Sequence, residues 1–215
     1  TQAYGADFAR SITEEAKKQF DAQLPSIPDI GGSRNLIADI LPVALWYVAY
    51  YRPMKAQGKT AEDVGKMIYD LFAAEMDQMP EAAKAAAGAR QFSPKYYELA
   101  EEWARWTQEK QYPANWVAAF LKGDGTDFDY GYDYTECALV KYLKAHDAEE
   151  VAPYVCLADF VESRAFDTGL RRTKTLANGD TVCDFRYQKG RPVVQDWSTE
   201  APAIKARTAE RANPE

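Results

Sequence analysis

The period at which apolar residues recur changes near Tyr112, and this change restricts the possible folds more than any other feature of the sequence. Over residues 7–24, apolar side chains recur every three or four positions, which is the period of a helix. Residues 128–134 instead alternate aromatic side chains with Asp or Gly, as a half-buried strand does. We therefore predict an α+β fold, with a helical lobe over 1–111 followed by a small antiparallel sheet with two packed helices over 112–190.

Breaks and capping residues set the bounds of the elements within one predicted domain, 1–198, which is followed by a polar, mobile tail over 199–215. Asn35 is placed to cap a long apolar helix, and Thr60 with Asp63 has the pattern of a capping box. The predicted helices span 7–24, 36–55, 61–78, 81–89, 94–110, 136–146 and 149–165, and the predicted strands span 115–122, 128–134, 170–177 and 180–188.

The Asn-Gly pair at 178–179 lies between two strand-like runs, which is the strongest short hairpin signal that a sequence offers. A two-residue turn there places Arg172 opposite Phe185 and Lys174 opposite Cys183. Because side chains alternate across a strand, these four share one face of the sheet. A thiol beside two cations has a lowered pKa, and two cations also suit a substrate carboxylate. The alternative is a small buried cysteine with solvated cations nearby.

Cys137 has a different predicted environment, at the start of a helix. Thr135 is placed to cap this helix, so Cys137 falls in the first turn, where unpaired N–H groups favour a thiolate or an oxyanion. Its neighbour Glu136 is suited to act as a general base or to interact favourably with the helix dipole. Cys156 lies three residues before Asp159 on one helical face, among apolar neighbours that favour packing. A buried cysteine is the alternative for Cys137 as well.

Charge and cysteine usage restrict the partners and the compartment. The net charge of −7 argues against nucleic acid and anionic membrane as partners. The three cysteines have no CxxC spacing, which favours free thiols in a reducing compartment and so a cytoplasmic location. The apolar run 36–51 is too short to span a bilayer and suits either a core or a homo-oligomer contact. A small molecule is the expected substrate.

No cofactor or metal site is predicted. The cysteines lack the paired spacing of a structural zinc site, and His146 would have to supply the fourth ligand. The acidic residues between 124 and 133 do not match an EF-hand loop. The sequence also contains neither a Walker A loop nor a dinucleotide fingerprint.

Several short motifs follow one another along the chain: 27–35 (IPDIGGSRN), 58–62 (GKTAE), 135–138 (TECA), 154–159 (YVCLAD), 172–179 (RTKTLANG) and 183–187 (CDFRY). Together they resemble the L-2-amino-thiazoline-4-carboxylic acid hydrolase family over residues 25–190. The resemblance implies hydrolytic opening of a small cyclic C–N bond, in the namesake case that of a thiazoline amino acid. It also implies that the three cysteines share one pocket.

The leading hypothesis is a hydrolase in which Cys137 is the nucleophile and either Glu136 or Asp159 moves protons. Cys183 either lines the pocket or exchanges roles with Cys137. Six residues are expected to bind the substrate. Arg172 and Lys174 are expected to bind its carboxylate, and the others to contact the rest of the molecule: Cys156, Tyr134, Phe185 and Asn35. Two alternatives stay open. One is a lyase or other ring-altering enzyme acting on an aromatic or heterocyclic compound, and the other is a non-catalytic domain that binds a small ligand.

Overall fold

The computed structural model describes residues 4–212 and confirms the α+β class. The helices are α1 Ala6–Gln23, α2 Leu41–Ala56, α3 Ala61–Gln78, α4 Glu81–Gln91, α5 Pro94–Thr107, α6 Ala138–Ala145, α7 Ala152–Val155, α8 Ala158–Ala165 and α9 Trp197–Ala212. The strands are β1 Val117–Lys122, β2 Tyr130–Glu136 and β3 Cys183–Tyr187. Single 3-10 turns precede several of the helices, including one at Ala38–Ile40 that shortens the predicted apolar helix at its start.

The three strands form an antiparallel sheet in the order β1-β2-β3. The register pairs Tyr134 with Cys183, Tyr132 with Phe185 and Tyr130 with Tyr187. These residues alternate along their strands and therefore share one face, which is covered by the helices and contributes rings to the main core. The sheet thus presents a thiol and several aromatic rings to the helical lobe.

Helix α3 begins with a capping box and approaches α7 closely at a glycine. The predicted capping box is confirmed, since the Thr60 side chain accepts from the Asp63 N–H and the Asp63 carboxylate accepts from the Thr60 N–H. Further along α3, a Cβ atom added at Gly65 would lie 2.2 Å from the Cβ of Tyr154. A glycine there allows α3 to approach α7, which fixes the helical wall opposite the sheet.

The predicted two-residue hairpin turn is wrong. One bridge, Arg171 with Arg186, keeps the predicted register, but the chain then leaves the sheet. The Asp184 carboxylate accepts the N–H groups of Thr173 at 2.8 Å and Lys174 at 2.6 Å. A 3-10 turn at Leu176–Asn178 then takes the place of a continuous strand. A carboxylate that replaces the partner strand as acceptor accounts for the loop.

Two other segments differ from the sequence prediction. The helix predicted over 149–165 is divided into α7 and α8, with a turn at Cys156 and Leu157 between them. The segment predicted to be a polar tail forms α9, and its Ala201 and Ile204 are buried. The last residues of that segment, 213–215, lie outside the described residues.

Asn35 does not cap α2, because a turn intervenes before the helix begins. Its buried amide instead joins three parts of the chain. The amide nitrogen donates to the Ile30 carbonyl and to Asn115 Oδ1, both at 2.9 Å, and Oδ1 accepts from Trp103 Nε1 at 2.9 Å. The side chain is thus a structural link and does not line the cavity described below.

We expect Asn35→Ala to lower the free energy of unfolding by roughly 1–3 kcal/mol, because buried donors and acceptors lose their partner. Denaturant unfolding measures this loss. The exposed Gln57→Ala on the same lobe is the control and should change stability by less than about 0.5 kcal/mol. Equal stability of the two variants would contradict the structural role of Asn35.

Candidate functional site

A cavity of about 320 Å³ lies between the helices and the sheet. It is lined mostly by aromatic and aliphatic side chains, with a few polar groups among them, as is typical of small-molecule sites. All three cysteines line it, and they come from the start of α6, the turn before α8 and the start of β3. The predicted site residues in its wall are Cys137, Cys156, Cys183, Asp159, Arg172, Tyr134 and Phe185.

Two predicted site residues lie outside this cavity in addition to Asn35. Glu136 is bound by Lys110 at 2.8 Å and by Lys141, and hydrogen bonds from these lysines lower the pKa of its carboxyl. Lys174 is exposed, because the loop held by Asp184 turns it away from the cavity face. The expected general base at Glu136 and the expected pair of cations are therefore not formed in the cavity.

Cys137 lies immediately before α6, as its N-cap residue. Thr135 is the residue expected to cap this helix, but it lies in β2 and its hydroxyl donates to the Val117 carbonyl. Burial raises the pKa of the Cys137 thiol to about 11, although the Val140 N–H and the Trp116 indole favour the thiolate. The helix start is therefore present at this thiol, but desolvation outweighs it.

At the other two thiols, desolvation also outweighs the contacts that lower the pKa. Burial raises the pKa of Cys183, although the Leu176 N–H donates to its sulfur at 3.1 Å and Arg172 lies nearby. Burial also raises the pKa of Cys156 well above its ordinary value, against the opposing effect of Arg172. The prediction of a lowered pKa at Cys183 is wrong, because a single enclosed cation does not offset the loss of hydration.

Arg172 is the cation of the cavity, and its side chain is only 4% exposed. Its guanidinium donates to Asp159 and, at 3.0 Å, to the Cys156 carbonyl. The rings of Phe160 and Phe185 lie on it, each with its centroid 5.0 Å from Cζ. Burial raises the pKa of Asp159, although Arg172 opposes this effect. The Asp159 side chain is 42% exposed and lines the cavity.

Glu162 is a polar residue of the cavity that the sequence analysis missed. It follows Asp159 by three residues on α8, so both carboxylates lie on one helical face. Within the described chain its carboxylate forms no salt bridge or hydrogen bond, and burial together with Asp159 raises its pKa to about 7. The three-residue spacing of 156, 159 and 162 is the signal that could have identified it.

Tyrosine hydroxyls supply further polar groups of the cavity. Tyr96 and Tyr132 share a hydrogen bond of 3.0 Å, whereas Tyr47, Tyr134 and Tyr187 donate no hydrogen bond to the residues that the structure describes. Burial raises the pKa of each of these five phenols, so they remain neutral hydrogen-bonding groups at ordinary pH.

Over residues 4–212, no group of three or more His, Cys, Asp and Glu side chains is arranged to hold a metal ion. Within the same range, every helix is too short or too polar to cross a membrane.

Comparison with known families gives a match over the part of the chain that contains the three cysteines. The sequence model of the L-2-amino-thiazoline-4-carboxylic acid hydrolase family matches residues 40–187, more than half of the chain. The chain belongs to this family. The resemblance seen in the sequence motifs is confirmed, and the family name denotes hydrolysis of a thiazoline carboxylic acid. Comparisons with curated proteins and with solved structures give no match.

We expect all three thiols to react slowly with a mild alkylating reagent at neutral pH. For Cys137 the rate should still be rising at about pH 10, whereas an exposed thiol with a pKa of about 8.5 has nearly reached its plateau there. Peptide mapping after timed alkylation measures each site, and the unfolded chain is the control. A thiolate-like rate at Cys137 or Cys183 near pH 7 would contradict the raised pKa of that thiol.

The raised pKa of Glu162 predicts a pH-dependent stability. Its value of about 7 in the folded chain exceeds its ordinary 4.5, so this group stabilises the fold most below pH 4.5 and loses its contribution as pH rises through 7. In Glu162→Gln this loss, on the order of 1–3 kcal/mol, should be absent. Urea unfolding at several pH values measures it. Glu98→Gln removes an exposed carboxylate and is the control, and parallel pH profiles for wild type and Glu162→Gln would contradict the prediction.

Proposed function

We propose that this family member is a hydrolase that opens a C–N bond in a small heterocyclic carboxylic acid, with Cys137 as the nucleophile. The observation that carries the proposal is the convergence of three thiols on one cavity that also contains an enclosed cation and two carboxylates. Thiazoline-like amidines have an electron-poor ring carbon, and a thiol is a suitable nucleophile for it.

Four residues of the cavity have a part in this proposal. The Cys137 sulfur lies beside the first N–H groups of α6, which suit the charge that develops during addition. Asp159 moves protons, because its burial raises its pKa toward the range useful for acid–base catalysis. Arg172 holds Asp159 in place through their ion pair, and Cys183 lines the wall.

The reaction can be written with balanced bonds for a cyclic amidine. The thiol proton passes to Asp159 as sulfur bonds to the ring carbon, and the C=N electron pair moves to the ring nitrogen. The exocyclic nitrogen then re-forms a C=N bond as the ring C–N bond breaks. The leaving nitrogen takes one proton from Asp159 and one from the exocyclic nitrogen. Water finally adds its oxygen to this carbon, and the bond to the Cys137 sulfur breaks. One proton of the water goes to the Cys137 thiol and the other goes to the exocyclic nitrogen, which leaves a carbamoyl group on the product.

We expect Cys137→Ser to lower kcat for a cyclic amidine or thiazoline carboxylate by roughly 10⁴-fold or more while the fold is retained. Turnover in water labelled with heavy oxygen is the assay, and labelled product identifies hydrolysis, whereas a lyase leaves the product unlabelled. Circular dichroism checks the fold.

Cys156→Ser and Cys183→Ser are the matched controls, since they change the same atom in the same cavity. Each should lose no more than about tenfold in kcat if Cys137 is the nucleophile. Wild-type rates in Cys137→Ser, or a much larger loss in Cys183→Ser, would reject the assignment of the nucleophile.

A further inference from the structure

We infer that Glu162 is a recognition group for a positively charged nitrogen, so that the ligand of this cavity is a protonated amidine or amine attached to an apolar ring. This inference rests on the proposed function, because it names the chemical class of the substrate for the same site. It adds that the cationic end of the ligand, rather than its carboxylate, supplies the main charged contact.

The charges of the cavity wall support a cationic ligand. The charged side chains that line it within residues 4–212 are Asp159, Glu162 and Arg172. Arg172 is bound to Asp159, and these two opposite charges offset each other. Glu162 is left without an ion-pair or hydrogen-bonding partner among the described residues. An uncompensated carboxylate in an apolar cavity favours a ligand that brings a positive charge and N–H donors.

Arg172 is poorly placed to be the main contact for an anion. Its guanidinium is enclosed by two aromatic rings and already donates to Asp159 and to the Cys156 carbonyl. With 4% of its side chain exposed, it offers little free donor surface. An incoming carboxylate would also approach Asp159, and two like charges in a poorly hydrated cavity repel each other.

The rings near Glu162 fit the same ligand. Tyr96 lies close enough to Glu162 for the carboxylate to raise the pKa of this phenol, and Tyr132 is hydrogen-bonded to Tyr96. Aromatic faces attract amidinium and ammonium groups and at the same time accept planar rings. Neutral phenol oxygens beside a carboxylate also provide acceptors for the several N–H groups of an amidine.

The rest of the cavity wall determines the size and polarity of the part of the ligand that carries no charge. Ile37, Ile40, Val43 and Phe72 line the cavity, and Ile40 and Val43 are 43% and 39% exposed. This apolar side suits a hydrophobic or aromatic substituent, and a volume of about 320 Å³ is at the lower end of the range for small-molecule pockets. A single planar ring with an attached cation fits these limits.

Benzamidine, benzamide and benzoate test the inference, because they share one ring and differ in the charge of the attached group. Calorimetric titration of the wild-type protein should give the tightest binding for benzamidine. Neutral benzamide should bind at least about tenfold more weakly, and benzoate should bind most weakly, since charge-assisted hydrogen bonds carry the difference.

Variants then assign the contact to Glu162. Glu162→Gln should weaken benzamidine at least about tenfold and change benzamide by less than about threefold, since the amide keeps the shape and removes the charge. Glu98→Gln removes an exposed carboxylate from α5 and should leave all three ligands unchanged. Thermal unfolding confirms that each variant is folded.

Equal binding of benzamidine and benzamide by the wild-type protein, or preference for benzoate, would overturn the inference without use of any variant. Unchanged benzamidine binding in Glu162→Gln would overturn it as well. Selective, Glu162-dependent binding of benzamidine without hydrolysis of any cyclic amidine would support the cation site and reject the proposed function. Hydrolysis of thiazoline carboxylates without a preference for benzamidine would support the proposed function and reject the cation site.

Discussion

The buried guanidinium of Arg172 is the interaction on which the arrangement of the cavity depends. It joins the segment before β3 to the turn and helix that carry Cys156 and Asp159, and it lies between the rings of Phe160 and Phe185. Removing water from a cation is costly unless the charge is paired and its donors are satisfied. The ion pair and the carbonyl contact meet both conditions, and they fix the sheet side of the cavity relative to α8.

Desolvation decides the ionisation of the other groups. Cys137 has helix-start N–H groups nearby and Cys183 has a backbone donor, yet burial raises the pKa of both thiols. The same enclosure raises the pKa of Glu162 to about 7. A cavity of this kind holds protonated thiols, neutral phenols and a readily protonated carboxylate, so a nucleophilic thiol here depends on proton transfer within the cavity.

The sequence was informative where local pattern controls the structure. The capping box before α3, most helices and the first two strands follow from periodicity and capping, and family motifs indicated a shared pocket for the three cysteines. Pattern failed where one side chain replaces backbone pairing. Asp184 takes the Thr173 N–H that a hairpin would use and also accepts from the Lys174 N–H, and this sends the Lys174 side chain to solvent. Glu162 was missed because its raised pKa comes from enclosure, which depends on distant elements of the fold.

The part of the chain that matches the family contains the thiols, Arg172 and both cavity carboxylates, whereas α9 lies outside it. Helix α9 nevertheless acts on the site through packing. Its buried Ala201 and Ile204 share an apolar cluster with Phe160, and Phe160 lies under the Arg172 guanidinium. Support for the carboxylate-bearing helix α8 therefore comes from the side away from the cavity. Helix α9 thus carries none of the groups proposed for catalysis or ligand binding, but its packing holds in position the helix that carries two of them.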